Sequence, residues 1–149
     1  MRNLLAALAF GAMAFSVVAV AIVSGAVVSG AALADDKVDC TDPQVQMEMN
    51  YCAEQAYKAA DAKLNTTYKA AMKAMKQIDS YLEGDQKGAA DALLAAQRDW
   101  IPYRDKACAA EGYMVQGGSM QPMIIYECLE RLTKERTTNL EILVKGMGN

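Results

Sequence analysis

The sequence predicts an all-α fold, an antiparallel three-helix bundle stapled by two disulfides. Three observations point to it. Residues 44–78 contain neither proline nor glycine and are dominated by alanine, lysine, methionine and glutamate, which mostly favour helix. Apolar residues in three successive segments recur at helical spacing, and no run alternates with period two. Finally, the chain has four cysteines and no histidine. None of the cysteines forms a Cys-x-x-Cys pair, so structural disulfides are favoured over a zinc site.

The first element is a leader. Arg2 is followed by residues 3–34 without a charge, ending in Ala32-Leu33-Ala34, and every acidic residue lies from Asp35 onward. This reads as a secretory signal, residues 1–34, cleaved after Ala34. An uncleaved membrane anchor is the second reading, because the apolar run is long. No lipobox precedes Cys40, which follows Val38-Asp39. Export makes the protein periplasmic or secreted, licenses oxidised cysteines, and leaves residues 35–149 as one small helical domain. The membrane then enters only through the signal before cleavage.

Helix one is expected from about Gln44 to Ile78, on a stripe of Tyr57, Leu64, Tyr68, Met72 (or Ala71) and Met75. Residues 83–88 make a polar turn. Helix two should run from about Gln86 to Ala110 on Leu93, Gln97, Trp100, Arg104 and Ala107/Cys108, with a kink at Pro102. Gly112 and then Gly117-Gly118-Ser119 mark a loop. Helix three follows from about Gln121 to Val144, with Pro122 in its first turn and a stripe of Ile125, Leu129, Leu132, Arg136, Leu140 and Leu143. Cys40, Cys52, Cys108 and Cys128 allow three pairings. The sequential one closes short loops, each stabilising the domain by roughly 3 kcal/mol on the chain-entropy model.

The absence of histidine removes Ser/His/Asp and Cys/His catalysis and histidine metal sites. The formal net charge of −3 argues against nucleic acid. Polar residues nonetheless interrupt the apolar stripes at Asp61, Arg104 and Arg136. Buried charges are costly unless paired, so Asp61 is expected to pair with Arg104, Arg136 or both, with Asn65 and Gln97 completing a structural polar network that sets helix register. Nothing pairs carboxylates at a recognisable catalytic spacing, and the protein is read as no enzyme, with no cofactor and no metal. Met114, Met120 and Met123 around the glycine loop raise a low-ranked third reading, a copper-binding protein using thioethers. Methionine as core filler is the commoner explanation.

The run Gln46-Met47-Glu48-Met49-Asn50-Tyr51-Cys52, then Asp61-x-x-Leu64-Asn65-x-x-Tyr68, resembles the start of the LprI-type lysozyme-inhibitor N-terminal domain family. The run 96–104, containing Trp100-x-x-x-Arg104, then Cys108, Gly117-Gly118-Ser119-Met120, Cys128 and Thr133-x-x-Arg136-x-x-x-Leu140 resemble its middle and end in the same order. The resemblance spans residues 39–143. It implies a small, secreted or envelope, helical, disulfide-bonded domain of a family named for a mycobacterial lipoprotein reported to inhibit lysozyme. The expected function is therefore a periplasmic binding protein whose partner is a protein, lysozyme first among the candidates. The Gly117, Gly118, Ser119 loop is the candidate partner-binding element. The alternative is a structural or adaptor protein of the envelope without effect on lysozyme.

Two departures from the family pattern matter. The lipobox of the namesake is missing. Val45 stands where the family often has a threonine that caps the first helix together with Glu48, so Asp42 ahead of Pro43 is a candidate N-cap for an earlier start. A start at Pro43 would put Cys52 roughly 13 Å up the axis, against a reach of about 10 Å for the three residues from Cys40. Sequential pairing therefore calls for a first helix that begins late or irregularly.

Overall fold

A computed structural model describes residues 38–146 of the chain. The elements are α1 (Gln46–Tyr81), a 3-10 turn at Gly84–Gln86, α2 (Ala89–Gly112), a 3-10 turn at Tyr113–Val115 and α3 (Gln121–Lys145), with no strand among the described residues. The expected leader, residues 1–34, lies outside the described residues. No described helix is long and apolar enough to cross a membrane. α2 is antiparallel to both neighbours: Asp79 late in α1 meets Gly88, Asp61 earlier in α1 meets Arg104, and Cys108 late in α2 is bonded to Cys128 early in α3. α1 and α3 are parallel, since Asn50 reaches Ser119 and Lys63 reaches Glu141. The result is an up-down-up bundle whose most extensive seam is α1 against α3.

The start of α1 resolves the disulfide geometry. The helix begins at Gln46, not at Pro43, so Asp42 is not its cap. The Glu48 carboxylate instead accepts the backbone N–H groups of Gln44 and Val45 at 2.7 and 3.3 Å. That is the one half of a capping box the sequence can build, because the Val45 side chain has no acceptor. The late start leaves residues 41–45 outside the helix, and Cys40 reaches Cys52 with a Cα–Cα distance of 5.4 Å. Cys108–Cys128 spans the same distance and closes the sequential pairing.

The limits of α2 differ from those expected. Its N-terminus is at Ala89 and not Gln86, because Gly88 holds φ = 142°, a conformation incompatible with helix and easy only for glycine. No residue at the cap position supplies an acceptor. Asp79, on the last turns of α1, does so across the turn, taking the N–H groups of Gly88, Ala89 and Ala90 at 2.9, 2.8 and 3.0 Å. At the other end α2 runs past Ala110 through Gly112, whose φ of −60° is ordinary helix. A Cβ there would meet the Ile125 side chain at 2.6 Å, so the absence of a side chain at Gly112 lets Ile125 of α3 pack closely on α2. α2 also continues through Pro102, which is exposed.

The core gathers Leu64, Ala71, Met75, Leu93 and Leu140, with Tyr68, Met72 and Trp100 packed against it. On α3 the line of deepest burial is Cys128, Thr133, Thr137 and Leu140. The expected stripe is thus rotated: Ile125, Leu129, Leu132 and Arg136 are half-buried and Leu143 is exposed. The reason is that α3 packs on two helices at once. Its deepest line falls between the two contacts, where threonines face a helix whose own buried line includes Ala53, Ala60 and Ala71. Thr137 stays satisfied by donating to the Thr133 carbonyl at 2.8 Å.

Candidate functional site

Two features of the bundle are built from polar or strongly exposed side chains. The first is a belt across its middle. Arg104 of α2 is buried, with its guanidinium 3.4 Å from Asp61 and 2.9 Å from Asp105. The guanidinium carbon also lies 5.4 Å from the Tyr57 ring centre and 5.0 Å from that of Trp100. Asn65, one turn beyond Asp61, donates to its other oxygen at 2.9 Å. Both Asp61 oxygens are therefore engaged within the belt. Burial pushes the Tyr57 hydroxyl above its ordinary pKa, against the pull of the Arg104 charge.

Arg136 does not join Asp61. Its Nε donates to Gln97 Oε1 at 3.0 Å and its guanidinium sits 6.0 Å from the Trp100 ring centre. Arg104 holds the carboxylate, and the Trp100 ring contacts both cations. Burial lowers the Arg136 pKa. One of its nitrogens, Nη2, is buried without a protein partner, as is the Thr133 hydroxyl three residues before it.

The second feature is the corner between α2 and α3. Here the Cys108–Cys128 bond clamps the two helices, and residues 113–120 bridge them. Gly117 takes φ = 76°, which places a glycine there. The Gly117 N–H donates to Gln121 Oε1 at 3.1 Å and the Gly118 N–H to the Val115 carbonyl at 2.9 Å. These two amides are spent on the loop itself and are not offered outward. The Ser119 carbonyl accepts from Asn50 Nδ2 at 3.0 Å, tying the loop to α1. Asn50 and this clamp carry no signal in the sequence, because the contact is between residues 69 positions apart.

Beside the polar Gln116 and Ser119, the corner exposes large apolar side chains. Tyr113 is 69% and Met114 76% accessible, and Met120 is also exposed. They border a shallow depression of about 530 Å³ lined by residues 113–116 and 118–120. Tyr113 escaped the sequence reading because it belongs to no helical stripe; that very misfit, a large aromatic in a glycine loop, is the signal that could have found it. Of the three methionines there, Met123 already accepts a contact from Gln46 Nε2 at 3.7 Å. Among the described residues no group of three or more Cys, Asp or Glu side chains is placed to hold a metal.

Residues 39–140 match the family model described as lysozyme inhibitor LprI. The chain belongs to the LprI family. It is also 44% identical over 114 residues to an uncharacterised protein of Rhizobium meliloti (strain 1021), covering 74% of this chain and 82% of that protein. No solved structure matches it. LprI is a family of inhibitors, and its sequence blocks acquire a spatial meaning here. Trp100 and Arg104 from one block, Arg136 from another, and Asp61 with Asn65 from a third supply the belt, while the cysteine blocks supply the two clamps. With two disulfides and LprI membership, the domain has the character of an extracytoplasmic protein.

Proposed function

We propose that the chain is exported by cleavage of residues 1–34 and acts as a non-enzymatic inhibitor that binds lysozyme through the α2–α3 corner. Membership of an inhibitor family over residues 39–140 is the observation that carries this reading. The corner is favoured within it because Tyr113 and Met114 are large, exposed and mounted on a loop clamped by a disulfide. Such preorganised aromatic and methionine side chains are what protein interfaces use as anchors. In this reading Gly117, Gly118 and Ser119 shape the loop, and Ser119 keeps its hydroxyl for the partner. The Asp61, Asn65, Gln97, Arg104 and Arg136 belt sets the register of the helices beneath it. The formal charge of −3, one unit more negative without Arg2, steers the domain towards a basic enzyme.

The test is lysis of a cell-wall suspension by several lysozymes, with and without oxidised residues 35–149, at two salt concentrations. Dose-dependent protection that weakens with salt is expected. The Tyr113→Ala/Met114→Ala variant should melt like the parent and inhibit about thirtyfold less well, the loss of one interface hot spot. Protection against no lysozyme type would sink the inhibitor reading and leave an envelope adaptor. An unchanged double variant would move the interface away from the corner.

A further inference from the structure

We propose that the outer face of α1 carrying Lys69, Lys73 and Lys76 docks on an anionic lipid surface, a role for the folded domain at the membrane beyond both the leader and lysozyme binding. The observation is a segregation of charge. In a chain of net charge −3, residues 62–78 contain Lys63, Lys69, Lys73 and Lys76 and no acidic residue. At 100° per residue Lys69, Lys73 and Lys76 fall within one narrow stripe, opposite the Leu64, Ala71 and Met75 line that is buried. All three are exposed. Among the described residues the ion pairs of α1 use Lys58, Lys63 and Asp61, and none uses these three lysines.

Structural roles do not account for the stripe. Lys69 and Lys73 form a like-charge pair at i,i+4 and Lys73 and Lys76 another at i,i+3, which weakens the helix. The helix dipole offers no compensation, since it acts on the last turn and the last turn of α1 holds no base. The nearest acids along the chain are Asp79, committed to the N-terminus of α2, Glu83 in the turn beyond, and Asp61, which pairs with Arg104. The three lysines span about 10 Å along one exposed face of the helix. Tyr81 ends the helix on the flank of the stripe and is 76% accessible, an amphipathic ring of the kind that settles at headgroup level.

Each lysine near an anionic bilayer contributes about a fivefold factor in partitioning, so the three together contribute on the order of a hundredfold. The test is co-sedimentation of residues 35–149 with phosphatidylcholine vesicles, with and without phosphatidylglycerol, at low and physiological salt. Binding is expected only with phosphatidylglycerol and should weaken with salt. The Lys69→Gln/Lys73→Gln/Lys76→Gln variant should lose about a hundredfold in partitioning, melt no lower than the parent, and inhibit lysozyme unchanged. Tyr81→Ala should weaken vesicle binding a fewfold. No binding to the anionic vesicles, or equal binding by the triple variant, overturns the proposal. Equal affinity for soluble polyphosphate with a silent Tyr81→Ala overturns its choice of lipid.

Discussion

Where α1 turns into α2, the bundle is held by burial: Leu64, Ala71, Met75, Leu93 and Leu140 pack together, and Asp79 sews the two helices at their ends. At the opposite end the buried side chains include Ala53, Cys108 and Cys128, and two covalent bonds stand where large apolar residues would otherwise pack. The difference teaches how a small domain can leave its best apolar side chains outside. Covalent clamps hold the corner without needing Tyr113 and Met114 in a core, so these stay exposed. The polar belt separates the two regimes.

That contrast can be broken from either side. The largest effect is expected at the packed end. Leu140 is fully buried, and Leu140→Ala should cost about 2–5 kcal/mol while sparing inhibition by whatever protein stays folded. Replacing Cys108 and Cys128 by alanine opens a loop whose ends lie 20 residues apart and should cost about 3 kcal/mol on the chain-entropy model. Its loss of inhibition should exceed that of Leu140→Ala at equal folded fraction. Denaturant melts of both variants beside the lysis assay check the pair; equal inhibition would mean that the corner needs no clamp.

The belt should respond less. Asp61 is partly exposed, so Asp61→Ala is expected to cost about 1 kcal/mol, a partly screened ion pair. A variant that melts like the parent would strip the belt of its structural role.

The smallest effect is a matter of pH. The N–H groups of Gly88, then Ala90 and Ala89, hold the Asp79 carboxyl below its ordinary pKa of 3.8. A carboxyl that is more acidic folded than unfolded stabilises the fold above the unfolded pKa and loses that contribution as pH falls through the folded one. Asp79→Ala should therefore melt lower than the parent at neutral pH, and the gap should narrow below about pH 3.8. Thermal melts across that range are the measurement.

Much of this architecture is written locally. Proline-free stretches, helical spacing and the glycines that break it place three helices to within a few residues, and the order of the cysteine, Trp-x-x-x-Arg and Thr-x-x-Arg blocks points to the LprI family. These are properties of short windows, and backbone preference together with a single apolar stripe suffices to read them. Other features depend on residues far apart. Asp79 capping a helix that begins ten positions later, Asn50 fastening Ser119, and Arg136 reaching Gln97 while Arg104 takes Asp61 are all choices among partners with equal local claims. The rotated stripe of α3 belongs with them, because a helix wedged between two others is buried deepest along neither of its separate faces but between them. Local propensity and spacing determine which segments are helical. Only packing decides which polar groups meet, since each meeting depends on where the other helices have already come to rest.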